Sequence, residues 1–170
     1  MNPLRWSFRL QMFFGAGVCA ALLAFAIHTQ MRMGLEPCSL CIYQRLAFAA
    51  LGVLFLLAGL HAPRNRPGRL TYGVMAAVAA AVGAGIAGRH VWVQGQPQDV
   101  MTSCGPPLSF LNESMGPLEA FRTVLTATGN CGDIDWVFAG LTMPMWCLVW
   151  FVALGLWALV AALSKPERRR

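Results

Sequence analysis

"EPCSLCIYQRLAFAALGVLFLLAGL", residues Glu36 to Leu60, sets two cysteines two residues apart in front of an apolar run. From Ile42 to Leu60 that run is close to the roughly 20 residues a helix needs to cross a bilayer. Three further windows fit the same requirement: Leu10 to Thr29, Leu70 to Gly88 and Leu141 to Leu163. The whole chain agrees, with 57% hydrophobic residues, 12% charged residues and a mean hydropathy of +0.56, outside the usual soluble composition. These runs predict an all-α membrane protein, a four-helix transmembrane bundle that makes residues 1–170 a single integral membrane domain. The third run contains "VMAAVAAAVGAGIAG", whose small residues let helix backbones approach closely.

The first run admits a second reading. Arg5 and Arg9 precede it, and "AFA" at Ala24 to Ala26 resembles a signal-peptidase site. Its length, and the three spans that follow, favour an uncleaved span. Orientation follows from the basic residues, which are retained on the cytoplasmic side. Arg5, Arg9, Arg64, Arg66, Arg69, Lys165, Arg168, Arg169 and Arg170 fall on one face; only Arg32, Arg45, Arg89 and Arg122 fall on the other. Both termini are therefore expected in the cytoplasm, with outer loops at about 30–41 and 93–140. The net charge of +6 then reflects topology and attraction to anionic lipid, and no nucleic-acid partner is expected.

The second outer loop is too long for a mere connector and is turn-rich, with "GQPQD", "CGPP", "MGP" and "TGNCGD". Within it "PLEAFRTVLTATG" offers Pro117 as a first helical residue, Leu118, Phe121, Val124 and Leu125 at helical spacing, and Gly129 as a stop. A short amphipathic helix is expected there, lying on the membrane surface or packed against the ends of the spans. No repeat, no low-complexity segment and no alternating run long enough for a sheet is present.

Six cysteines sort by position. Cys19 and Cys147 lie within spans, where cysteine serves as a small apolar side chain. Cys38, Cys41, Cys104 and Cys131 fall on the outer face, which in a Gram-negative cell is the periplasm, where disulfides persist. The simplest pairing is Cys38 with Cys41 and Cys104 with Cys131, although four cysteines permit three connectivities. A bridge between Cys104 and Cys131 could simply staple the loop. Across Cys38 and Cys41 the closed loop is too small to constrain the unfolded chain much, whereas that spacing recurs in redox sites. A c-type haem site needs His after the second cysteine, and Ile42 stands there. A structural zinc site wants a second close pair or histidines, whereas Cys104 and Cys131 stand 27 positions apart in an oxidising compartment, and a thioredoxin domain wants alternating strands and helices around the pair. Neither pattern is present.

Pro37 ends any earlier helix, so the second span should begin within "CSLCIY". Unpaired backbone N–H groups at that start favour a thiolate, and Cys41 is placed to be the stabilised one. Arg45 follows one turn later on the same face, able to stabilise that thiolate or the oxygens of an acceptor. As a rival role, it could snorkel to the headgroups. At the outer end of the third span "GRHVWVQ" carries His90 and Gln94 four residues apart, able to share one ligand. Trp92 is an interfacial anchor. If the pair turns over, electrons must leave; with no haem, flavin or nucleotide fingerprint in the chain, a lipid-soluble quinone is the most economical acceptor.

Taken together, the four spans, "PCSLCIYQR", His90, the loop cysteines Cys104 and Cys131, and "WVFAGLTMPMW" at the fourth span resemble the disulfide bond formation protein B family over nearly the whole chain. The resemblance implies an inner-membrane, quinone-dependent thiol oxidase that regenerates a periplasmic thioredoxin-fold oxidase, DsbA-like, and so sustains protein disulfide formation. By residue match, Cys104 would form the mixed disulfide with that partner and Cys131 would be its loop mate. Cys38 would exchange with the loop pair, and Cys41 would meet the quinone. Arg45 matches the family's quinone-site arginine, and His90 and Gln94 fall near the quinone. Ubiquinone and menaquinone fit equally, since both present two ring carbonyls. A monomer is expected, because one bundle holds every piece. Two rivals remain at this level: a thiol-fed quinone reductase in the manner of vitamin K epoxide reductase, and a disulfide-stapled or metal-binding membrane scaffold that is inert to quinone.

Overall fold

A computed structural model describes residues 6–33, 38–95, 134 and 136–164. Four helices account for most of them: α1 (Phe8–Met33), α2 (Ser39–His61), α3 (Arg66–Gln94) and α4 (Met143–Leu163). Each is long and apolar enough to cross a membrane. α1, α2 and α3 overrun the hydropathy windows at both ends, α3 most, from Arg66 to Gln94. Hydropathy registers the lipid-facing stretch, whereas backbone hydrogen bonding continues until a cap ends it. Ala62, in the left-handed region at φ 41°, closes α2 with its N–H bonded to Ala58 O at 2.9 Å. Asn65 and Thr142 occupy the N-cap positions of α3 and α4, and Pro67 and Pro144 follow in the first turns, where a missing N–H costs nothing.

The helices pack in a ring, α1 on α2, α2 on α3 and α3 on α4, with α4 closing back on α1. Small residues set the α3/α4 distance. A Cβ added at Gly73 would lie 2.4 Å from Ala162 Cβ, and one at Gly83 would lie 2.3 Å from Phe151 Cε1. Cys19 fills a matching role between α1 and α2: it is buried, and its Cβ would sit 3.1 Å from a Cβ added at Gly52. At the centre the rings of Phe48 and Phe151 stack at 3.9 Å and 12°.

At the end where α3 begins and α4 stops, Arg69 is buried. Its Nη2 donates to Ala161 O at 2.9 Å and to Ser164 Oγ at 3.2 Å, and its guanidinium lies 4.7 Å over the Phe8 ring. The last carbonyls of a helix lack intrahelical donors and carry partial negative charge, so a cation there ties three helices together at a point of electrostatic need.

At the opposite end a small hairpin precedes α4. β1 (Val137–Phe138) pairs antiparallel with β2 (Leu141–Thr142), in register Val137 to Thr142 and Phe138 to Leu141. Ala139 at φ 52° and Gly140 at φ 79° supply the two left-handed residues of a two-residue turn. No strand is expected from sequence because each is two residues long, too short for alternation to register; the pairing also moves the start of α4 from Leu141 to Met143. Side chains pin the hairpin: Trp146 Nε1 donates to Phe138 O at 3.0 Å, and Thr142 Oγ1 donates to Gln94 Oε1 at 2.9 Å. The helix expected over 117–129 lies outside the described residues.

Candidate functional site

The cysteine pair straddles the start of α2. Cys38 is the N-cap residue in extended conformation (φ −66°, ψ 163°), and its sulfur accepts the Cys41 N–H at 3.4 Å. The helix-start donor that sequence spacing assigns to the benefit of Cys41 therefore serves Cys38, because the cap residue's side chain folds back over the first turn. The two sulfurs are 2.9 Å apart. Leu40 and Val93 are buried beside Cys38, with Ile86 completing an apolar patch from α3.

His90 backs this patch. It is 2% exposed, with Nε2 3.8 Å from Cys38 Sγ and Nδ1 2.9 Å from Gln44 Nε2. In this orientation of the Gln44 amide, Nδ1 accepts and Nε2, facing the sulfur, carries the ring proton. Sequence spacing suggests that His90 and Gln94 share a ligand; the structure separates them, since Gln94 accepts from Thr142 at the hairpin. Cysteine spacing does not point to Gln44; its signal in the sequence is that an amide inside an apolar span needs a buried partner, and α2 presents it one turn after Cys41.

Cys41, its sulfur also within 4.8 Å of a His90 ring nitrogen, opens onto a second environment. Together with Gln44, Arg45 and Phe48 of α2 it lines a cavity of about 260 Å³ whose remaining walls come from α1, Trp136, the hairpin and α4, with no α3 residue among its lining. The walls are mostly apolar and rich in rings: Phe25, Phe48, Trp136, Phe138, Trp146 and Trp150. Trp136 and Phe138 stack at 5.9 Å and 20°, and Phe25 meets Trp136 edge-on at 5.9 Å. Arg45 is held at the cavity edge by α1, its Nη1 donating to Gln30 Oε1 and its Nη2 to Ala26 O at 3.4 Å. Cys147 of α4 also lines the cavity. Cys104 and Cys131 lie outside the described residues. The arrangement thus sets one sulfur of a redox-capable pair against a buried imidazole and the other in an aromatic cavity beside a fixed cation.

The family model for disulfide bond formation protein DsbB matches residues 8–161, which takes in the first three helices, all but the last two residues of α4, the cysteine pair and the cavity. The chain belongs to the DsbB family. Relatives carrying the name disulfide bond formation protein B agree. One from Xanthomonas axonopodis pv. citri (strain 306) is 66% identical over 161 residues, covering 95% of this chain and 94% of the relative. A second, from Xanthomonas campestris pv. campestris (strain 8004), is 65% identical over 170 residues, covering 100% and 99%. A third, from Xylella fastidiosa (strain Temecula1 / ATCC 700964), is 58% identical over 170 residues, covering 100% and 98%. As a DsbB family member with four membrane-length helices, the chain is a multi-pass membrane oxidoreductase of disulfide bond formation.

Proposed function

We propose that this DsbB family member is an inner-membrane thiol oxidase that draws electrons from a periplasmic, DsbA-like thioredoxin-fold partner and delivers them to a membrane quinone. The observation that carries this reading is the cavity, where Cys41 and Arg45 share an aromatic enclosure bordered by membrane-length helices. At about 260 Å³ it is smaller than the ~300–1,000 Å³ of typical sites for drug-sized ligands, enough for a substituted ring with its isoprenoid tail left in lipid.

A bound quinone supplies the acceptor for the two electrons and two protons released when a dithiol becomes a disulfide. The chain's own residues do the rest. Cys41 presents its sulfur to the ring. Arg45 offers guanidinium N–H groups to a carbonyl oxygen and stays charged throughout. The ring walls stack on a flat ligand and keep water out. On the other side His90, oriented by Gln44, holds a proton at Nε2 against Cys38, where it can hydrogen-bond the sulfur as that atom gains charge during exchange.

Cys104 and Cys131 form the second redox pair, Cys104 attacking or being attacked by the partner's cysteine and Cys38 exchanging with the loop pair. Each exchange is an in-line thiolate attack on a disulfide sulfur. The cysteine end faces the periplasm and both termini the cytoplasm, in keeping with Arg64 and Arg66 at the opposite end of the bundle. Ubiquinone and menaquinone both suit the site, and a monomer suffices.

Stopped-flow absorbance tests the reading: quinone-loaded protein is mixed with a reduced thioredoxin-fold oxidase, and wild type is compared with Cys41→Ser. Quinone reduction coupled to partner oxidation in wild type and lost in the variant is expected. Coupled turnover persisting in Cys41→Ser would overturn the assigned path.

A further inference from the structure

The sulfurs of Cys38 and Cys41 and a ring nitrogen of His90 lie within 4.8 Å of one another, two thiols and an imidazole converging from two helices. We propose that the dithiol form of this pair, with His90, is a binding site for a thiophilic divalent cation of the zinc type, and that occupancy arrests thiol exchange. The arrest rests on the functional reading above; the binding does not.

The donor set is the one zinc selects, thiolate and imidazole, with a two-residue spacing between the cysteines. Bond lengths of ~2.3 Å to sulfur and ~2.0–2.1 Å to nitrogen at tetrahedral angles require sulfurs roughly 3.8 Å apart and sulfur to nitrogen roughly 3.6 Å. His90 Nε2 already stands 3.8 Å from Cys38 Sγ. The sulfurs, at 2.9 Å, need to open by roughly 0.9 Å, a side-chain rotation rather than a backbone change. Three protein ligands leave a fourth position for water, as in open zinc sites.

Gln44 makes the imidazole usable in both roles. For Nε2 to bind a metal, the ring proton must sit on Nδ1, and a partner there must accept it. Gln44 lies 2.9 Å from Nδ1; turning its amide over presents Oε1 in place of Nε2. The same residue thus supports the protonated-Nε2 ring against Cys38 and the metal-ligating tautomer. Redox state gates the site: a Cys38–Cys41 disulfide offers no thiolate, while the dithiol binds by exchanging up to two protons for one cation.

Cobalt(II) provides the probe. It is titrated into the reduced protein in detergent, in a Cys104→Ser/Cys131→Ser background that removes the loop sulfurs, and sulfur-to-cobalt charge transfer is followed together with tetrahedral d–d bands. One ion per chain is expected, displaced by zinc and absent after oxidation of the pair. His90→Ala should weaken binding by about tenfold or more, and Gln44→Glu, which favours a proton on Nδ1, should tighten it by about tenfold or more. An absent charge-transfer band in the reduced protein would overturn the site, as would affinity that is the same with and without His90. In the wild-type turnover assay, zinc should stop partner oxidation and a chelator restore it; full turnover with zinc bound would overturn the arrest. A protein that binds cobalt yet never couples thiol oxidation to quinone would overturn the functional reading, and the arrest with it, while the cobalt bands still establish the site.

Discussion

Replacing Gly83 with alanine adds one methyl group where α3 meets the ring of Phe151. That Cβ would stand 2.3 Å from Cε1, 2.5 Å from Cζ and 2.6 Å from Cδ1, whereas ordinary contact begins at 3.4 Å. The ring must retreat by about 1 Å, or α3 and α4 must part. Phe151 is 0% exposed, and its neighbour Phe48 is stacked on it at 3.9 Å, so the displacement passes to a ring that lines the cavity. Overpacking of this kind costs about 1–3 kcal/mol. Alanine also gains about 0.8–1 kcal/mol of helix propensity, which confuses a comparison with wild type. Gly85, two residues on in the same helix with nothing within 4 Å, provides the control. Gly83→Ala should be about 1–3 kcal/mol less stable than Gly85→Ala, roughly a 5- to 140-fold difference in unfolding equilibrium. Unfolding by sodium dodecyl sulfate in mixed micelles, followed by circular dichroism, measures it. The quinone KM of Gly83→Ala should rise in parallel as Phe48 moves. Adding Phe151→Leu should recover at least about 1 kcal/mol in a double-mutant cycle. Equal stability of the two alanine variants, or purely additive effects with Phe151→Leu, would refute the contact as the cause.

Three further outcomes follow from other contacts. Arg69→Met removes the donors to Ala161 O and Ser164 Oγ and should destabilise the bundle by about 1.5–3 kcal/mol in the same unfolding assay, nearer the low end because Ser164 Oγ also donates to Ala161 O at 2.8 Å. Arg45→Met should raise the quinone KM by roughly ten- to a hundredfold, the loss of one charge-assisted hydrogen bond, with far-UV circular dichroism unchanged. Ala139→Asn places a residue that tolerates left-handed backbone before Gly140, making an Asn-Gly turn; it should stabilise the hairpin and slow hydrogen exchange at the Phe138 and Leu141 amides.

Hydropathy locates all four helices because each carries a long uninterrupted apolar stretch, and the CxxC spacing points to the two sulfurs that the structure sets 2.9 Å apart at the head of α2. What sequence left unread depends on three-dimensional closure. The hairpin at 137–142 is held by a two-residue ladder and by bonds from Trp146 and Thr142, none of which leaves a periodic trace. Gln44 looks like an ordinary polar interruption until α3 brings His90 against it. Arg45 stands out by its turn-wise distance from Cys41, yet its anchors, Gln30 and Ala26, are supplied by α1. His90 and Gln94 share a helix face on paper; packing sends one to a sulfur and the other to a hydroxyl.

Cys38, at the N-cap, sits against α3, while Cys41, one turn on, borders the cavity shared with α1 and α4, the two sulfurs 2.9 Å apart. Under the proposed function, exchange with a thiol partner takes place at the Cys38 side and electron delivery at the Cys41 side. The pair would thus work as two adjoining terminals, one backed by a buried imidazole and the other by aromatic rings.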